Sequence, residues 1–204
     1  MIDAVICEPV RTPVGRYGGM FRDIPVVDLA STVIRGLVER TNLRSLDIDD
    51  VVFGQGYANG EAAALGRVAA LDAGLDVNVP GLQLDRRCGS GLQSVLYAAM
   101  QIQTGMSDLI IAGGAESMSQ TEFYTTGMRW GVSGASVTLH DRLAKPRVNS
   151  GGKNFTVEGG MIETAENVRK QYSISRRTGD DVHRRRAGDR RGVRKSRTPV
   201  ACRR

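Results

Sequence analysis

Along the first 117 residues the apolar positions switch repeatedly between a strand-like run and a helix-like spacing. The opening segment "DAVICEPV", Asp3 to Val10, is an apolar strand closed by Pro9, and "RTPVGRYGG" behind it is a glycine-rich loop. Asp28 is placed to cap a helix in which Ala30, Val33, Ile34, Leu37 and Val38 recur on one face. "DDVVFGQGYANG" is a strand that runs into a loop. Glu61 to Ala73 makes a second helix with Leu65, Val68 and Ala69 on one side and Gly74 as its C-terminal cap. "VPGLQLD" is a short strand, Gly91 to Thr104 a third helix, and "SDLIIAGGAES" a strand of the continuously apolar kind that is covered on both faces. Alternation of this kind predicts a layered α/β fold with a largely parallel sheet.

The third helix breaks the amphipathic pattern. Leu92, Val95, Leu96, Tyr97, Ala98, Ala99, Met100 and Ile102 cover most of its circumference, and no charge occurs between Arg87 and Asp108. A helix that is apolar all round is expected to be buried all round. After Ser117 the periodicity loosens through a segment rich in Gly that holds Trp130, of the sort that forms lids and binding loops. A helix restarts at "ETAENVRKQYSIS", where Thr164 can cap and Ala165, Val168 and Tyr172 share a face.

Composition narrows this picture. A chain of 204 residues with 41% hydrophobic residues builds one domain, or one and a piece of another. The first residues lack a basic region before an apolar run, and no stretch approaches about 18 apolar residues, so the expected setting is the cytoplasm, with no membrane partner. Three cysteines without a CxxC suggest neither a zinc site nor a disulfide framework, and no metal is expected.

The net charge of +6 is unevenly spread. Residues 176–204 hold 12 of the 28 basic residues and 3 of the 22 acidic ones, which leaves the body with a net charge of −3. That tail has only six apolar residues among 29. Ordering costs roughly 1 to 2 kcal/mol per residue, so the tail is expected to be disordered. An arginine run gives salt-sensitive phosphate affinity, the basis of an alternative reading as a nucleic-acid-binding protein. Against it, the tail has no aromatic residue and the body no identifiable basic face, so no specific nucleic acid is expected.

The chemistry concentrates at Cys88, in "LDRRCGSGLQSV". Gly89 and Gly91 permit a sharp turn from strand to helix. The first helical turn then presents unpaired N–H groups and a positive dipole end to the thiol, with Arg86 and Arg87 beside it. These features favour a nucleophilic thiolate and an oxyanion hole. The same features fit a small buried cysteine or a phosphate-binding turn, and local physics alone leaves all three open. Cys7 belongs to the core of its strand and Cys202 carries no signal. "GQGYANG" misses the GxGxxG spacing by one residue, G-x-S-x-G does not occur, and the Asn154 sequon has no meaning without secretion. His140, in the loop excursion, and His183, in the tail, read as surface residues.

"DRRCGSGLQSV" resembles the nucleophile motif of the thiolases, the acetyl-CoA acetyltransferases and 3-ketoacyl-CoA thiolases, and the neighbouring motifs follow in the same order. "EPVRTPVGRYGG", "DVVFGQGYANG", "IIAGGAESMS" and "GGMIETAENV" resemble that family's opening strand and loop, second strand, post-nucleophile strand and returning segment. The resemblance covers about residues 1–175. It implies the N-terminal half of a layered αβαβα fold: residues 1–118 as an α/β half with the nucleophile, 119–175 as a partial loop domain and returning helix, and 176–204 as the tail. It also implies that Cys88 is acylated by acyl-CoA, that its backbone N–H is an oxyanion donor, and that Met161 lies near the acyl pocket. Coenzyme A thioesters are then the substrates, no further cofactor is needed, and dimers or tetramers are the expected assemblies.

Two positions depart from the family pattern. Asp85 stands where Asn is usual, and Ile162 where Gly follows the Met. The family's second half supplies an Asn in His-Glu-Ala-Phe, a His in Gly-His-Pro and a Cys in Cys-x-Gly, and none of these motifs occurs in this sequence. The chain is therefore expected to be catalytically incomplete by itself, and its tail to be an out-of-frame translation or a degenerate end.

Overall fold

The computed structural model describes residues 3–174 and the backbone of Thr198–Arg203. In chain order the elements are β1 (Ala4–Val10), α1 (Val26–Thr41), β2 (Asp50–Gly54), α2 (Leu65–Asp72), β3 (Gly81–Leu84), α3 (Ser90–Gln103), β4 (Leu109–Gly114), β5 (Phe123–Tyr124), β6 (His140–Asp141), α4 (Lys145–Asn149), α5 (Gly160–Gln171) and β7 (Thr198–Arg203). They form two compact units. One runs to Gln120 and includes β7; the other begins at Thr121.

The first unit is built on a five-stranded sheet in the order β1-β7-β4-β2-β3. β2 pairs in parallel with both β3 and β4, Gly54 lying opposite Leu84 on one side and Gly114 on the other. β7 runs antiparallel between β1 and β4. This corrects the expectation of a disordered tail for Thr198–Arg203; residues 175–197 and Arg204 lie outside the described residues. The expectation weighed the apolar content of the tail against ordering entropy. A strand that pairs on both sides gains a ladder of backbone hydrogen bonds in addition, and sequence composition does not register that gain.

Alternation along the strands sorts the core into two layers. Val51 and Phe53 of β2 and Ile111 of β4 pack with Ala30, Ile34 and Leu37 of α1 and Leu65, Ala69 and Ala70 of α2. Val52, Ile110 and Ala112 face the other way and pack with Ala98 and Ile102 of α3. The result is helix, sheet, helix, an α/β layering of the kind the pattern predicted.

Helix starts differ from the sequence expectation for local reasons. α1 begins at Val26, with Pro25 at its N-cap, and Asp28 sits inside the first turn instead of capping it. Asp28 still opposes the helix dipole there. α2 begins at Leu65 and not at Glu61, because Asn59 Oδ1 accepts from Ala62 N (2.9 Å) to close a separate 3-10 turn, and Ala64 then takes a left-handed φ of 53°. In the second unit β5 and β6 pair antiparallel, and Arg142 bonds Glu122 at 2.9 Å. Thr164 lies within α5 and not at its cap, its hydroxyl donating to Gly160 O (3.0 Å). Among the described residues no helix is long and apolar enough to cross a membrane.

α3 lies so close to the sheet that a Cβ on Gly54 would stand 2.4 Å from the Ser90 carbonyl carbon and 2.7 Å from Gly91 N. Gly36, exposed in the middle of α1, would meet nothing within 4 Å. Two alanine substitutions should therefore differ in sign. Gly36→Ala is expected to stabilise by about 0.5 to 1 kcal/mol through helix propensity. Gly54→Ala should destabilise by about 1 to 3 kcal/mol or more through overpacking against backbone. Urea midpoints of the two variants check this, and equal shifts would contradict the packing.

Candidate active site

Cys88 sits in a 3-10 turn, Arg87–Gly89, between the end of β3 and the start of α3. It is exposed, and it opens on a cavity of about 570 Å³ whose lining includes Gly54, Gly56, Arg87, Gly114 and Glu116. These residues come from the C-terminal ends of parallel β2, β3 and β4, where open α/β sheets form their ligand crevices.

The turn is held from inside by short hydrogen bonds. Asp85 Oδ1 accepts from Arg87 N (2.7 Å). The buried Ser90 hydroxyl accepts from Arg86 N (2.8 Å) and donates to Arg87 O (2.7 Å), so one side chain satisfies the backbone on both sides of the bend. Arg87 itself takes a left-handed φ of 50°, uncommon for a residue with a Cβ. Ser94, fully buried one turn further along α3, donates to Gly113 O (2.6 Å) and fixes the helix on β4.

A second set of contacts crosses to the neighbouring strands. Arg87 Nη1 donates to Gly56 O (2.6 Å) and lies 3.0 Å from Asp85 Oδ2. Glu116, just beyond β4, accepts from Gly56 N (2.8 Å) and Tyr57 N (3.3 Å). Loss of hydration raises the Glu116 carboxyl above its ordinary value of 4.5, and the nearby Asp85 adds to this. The two backbone N–H groups and Arg87 pull the other way. Part of the side chain stays in contact with solvent, which limits the effect.

Of the residues singled out in the sequence, Cys88, Asp85 and Arg87 are brought together here. Met161 is 67% exposed and Ile162 57% exposed, both on α5 of the second unit. Cys7 is half-buried on β1 against the core, and His140 lies on β6 with its ring 5.5 Å from that of Tyr124. His183 falls outside the described residues, as does the side chain of Cys202. Sequence reasoning missed Ser90, Gly56 and Glu116. The available signal was positional: "GQG" and "AES" each directly follow a parallel strand.

Comparison with known proteins bears on the family and the fold. Residues 4–185 match the profile described as "Thiolase, N-terminal domain". A probable acetyl-CoA acyltransferase of Staphylococcus aureus is 35% identical over 180 residues, 88% of this chain and 45% of the relative. A protein of the same name from Staphylococcus epidermidis is 35% identical over 176 residues, 86% and 44% respectively. The crystal structure of the Bacillus anthracis acetyl-CoA acetyltransferase superposes with a TM-score of 0.80 at 28% identity, covering 98% of this chain and 54% of that one. The chain thus spans about half the length of these relatives.

Glu116 yields a pH prediction. Because its folded-state pKa is raised, the stability that protonation confers is fully present below 4.5 and is lost as pH rises through the folded value. The unfolding free energy of the wild type relative to Glu116→Gln should therefore shift modestly in favour of the wild type as pH falls from 7 toward about 4. Denaturant titrations of both proteins test this. A gap that is flat, or that moves the other way, counts against it.

Proposed function

The chain belongs to the thiolase family, and from that premise we propose that it carries the acyl-accepting half of an acyl-CoA acyltransferase, with Cys88 as nucleophile. The observation that carries this reading is the exposed thiol in a tight turn at the mouth of α3, opening on a cavity at the C-terminal ends of three parallel strands. The Cys88 thiolate attacks the thioester carbonyl of acyl-CoA, and the tetrahedral oxyanion is met by the Cys88 N–H at the positive end of α3. The C–S bond to coenzyme A then breaks. The acyl group stays on Sγ, and coenzyme A leaves as thiolate and takes up a proton.

Coenzyme A thioesters are the substrates in this proposal, in fatty-acid or acetoacetyl-CoA metabolism and in the cytoplasm. Transfer to a second acyl-CoA, or thiolysis by coenzyme A, needs the Asn, His and Cys that the family resemblance assigns to a second half. The large side chains of Leu92, Leu96 and Met100 line up one turn apart on α3 and are 67%, 49% and 49% exposed. A second α/β half covers them in this proposal, and the assembled protein forms dimers or tetramers. Met161 belongs to the acyl side of the site.

Two measurements test the proposal on the 204-residue chain. Incubation with acetyl-CoA followed by peptide mass spectrometry should place an acetyl group on Cys88 and none on a Cys88→Ser variant. Label found equally on Cys7 or Cys202 would defeat the assignment. Thiolysis of acetoacetyl-CoA by the same chain should be slower than that of a full-length relative by about 10³ or more, the usual scale for losing catalytic acid-base groups. Comparable rates would show that the chain needs no further residues.

A further inference from the structure

We infer that Arg87 is a positioning residue: it ties the nucleophile turn to the loop after β2, and Glu116 holds that loop in place. The inference rests on the reading of Cys88 as the acyl-accepting thiol.

The backbone of the turn gives the first reason. Arg87 adopts φ 50°, a conformation that is strained for a residue with a Cβ and almost free for a glycine. Gly89 and Gly91 stand nearby, so a glycine in this stretch is no novelty, yet the left-handed position itself holds an arginine. Something its side chain does offsets the strain. That side chain makes two contacts, Gly56 O at 2.6 Å and Asp85 Oδ2 at 3.0 Å. Both are made by the same terminal nitrogen, Nη1, the first a charge-assisted hydrogen bond and the second an ion pair, and the planar guanidinium holds that nitrogen in a fixed direction where a lysine tip rotates freely.

The loop at the other end of this tie is itself fastened. Glu116 receives the consecutive amides of Gly56 and Tyr57. Gly56 is thus gripped at its N–H by Glu116 and at its carbonyl by Arg87. A Cβ on Gly56 would come within 3.2 Å of Glu116 Oε2 and 3.5 Å of Arg87 O, so the three residues already stand at packing distance. Gly56, Arg87, Cys88 and Glu116 line one cavity. Asp85 and Arg87 are the charged groups that face Glu116, one raising and one lowering its proton affinity. The path from β4 through β2 to the residue before the nucleophile is therefore continuous, and no member of it touches a reacting atom.

The test uses the full 204-residue chain and the rate of alkylation by iodoacetamide at pH 8, resolved by peptide mass spectrometry so that Cys7 serves as an internal reference. Arg87→Gly relieves the backbone strain but removes the tie. It should slow alkylation of Cys88 by about tenfold, the scale of one charge-assisted hydrogen bond, with no loss of melting temperature. Arg87→Lys should recover only part of the rate. Glu116→Gln keeps one acceptor oxygen and should slow Cys88 less than Arg87→Gly. In the Arg87→Gly background, Glu116→Gln should have no further effect, because both act through Gly56. If wild-type Cys88 reacts no faster than the unfolded chain, the nucleophile reading fails. If it reacts fast and Arg87→Gly leaves the rate unchanged, or the two substitutions multiply, the positioning role is overturned while the nucleophile stands. Should Arg87→Gly prove unfolded by circular dichroism, the comparison of Arg87→Lys with Glu116→Gln decides: wild-type rates in both overturn the inference.

Discussion

The first turn of α3 rests directly on backbone. At Gly54 there is no room for a single carbon between β2 and the Ser90 carbonyl, and a Cβ on Gly114 would lie 2.7 Å from Gly54 O. Two glycines at matched positions on neighbouring parallel strands therefore set the height at which the helix enters. Everything about the site follows from that height. The turn before the helix has to be short, Cys88 has to lie at the strand ends, and the cavity has to open where the sheet stops. Packing this close leaves few rotamers or backbone shifts to absorb a change.

The same closeness explains the two sides of α3. Ser90, Ser94, Ala98 and Ile102 repeat every four residues and are buried on the sheet. The first three are small, which is what a close approach requires. Both serines can be buried because their hydroxyls are satisfied, Ser94 by two backbone carbonyls, its own turn's and that of β4. Leu92, Leu96 and Met100 repeat at the same spacing on another face and remain exposed. The sequence expectation was burial all round, drawn from a charge-free stretch. The structure corrects that expectation: among the described residues α3 is buried only on the side that packs on the sheet, because a charge-free stretch tells which side chains are apolar and not what covers them.

What could be read from sequence was local. Strand-helix alternation, the third helix and the thiol at its mouth each depend on a few consecutive residues, and each is found where expected. The starts of α1 and α2 moved because a Pro and an Asn, each acting within four residues, competed with the periodic pattern. What could not be read was separated in sequence. β7 pairs with strands some 90 and 190 residues away in register, and its six residues contain too little apolar area to announce a strand. Glu116 reaches Gly56 across 60 residues, and Arg87 reaches it across 31. A motif can fix which residue is the nucleophile. It cannot say which distant backbone atoms keep that residue still.

Inside the turn, two kinds of contact settle two different questions. Asp85 Oδ1 on Arg87 N and the Ser90 hydroxyl between Arg86 and Arg87 all lie within a six-residue stretch. They determine the shape of the bend and its relation to α3. None of them reaches β2 or β4, so they cannot fix the bend against the floor of the cavity. The guanidinium of Arg87 and the carboxylate of Glu116 do that, meeting at Gly56, with Tyr57 N a second donor to the carboxylate. Asp85 belongs to both sets, with one oxygen on the backbone and the other on the guanidinium. An asparagine there would keep the first contact and lose the charge of the second. The departure from the family pattern at Asp85 thus places a carboxylate beside the guanidinium nitrogen that bonds Gly56 O, and it leaves the contact to Arg87 N in place.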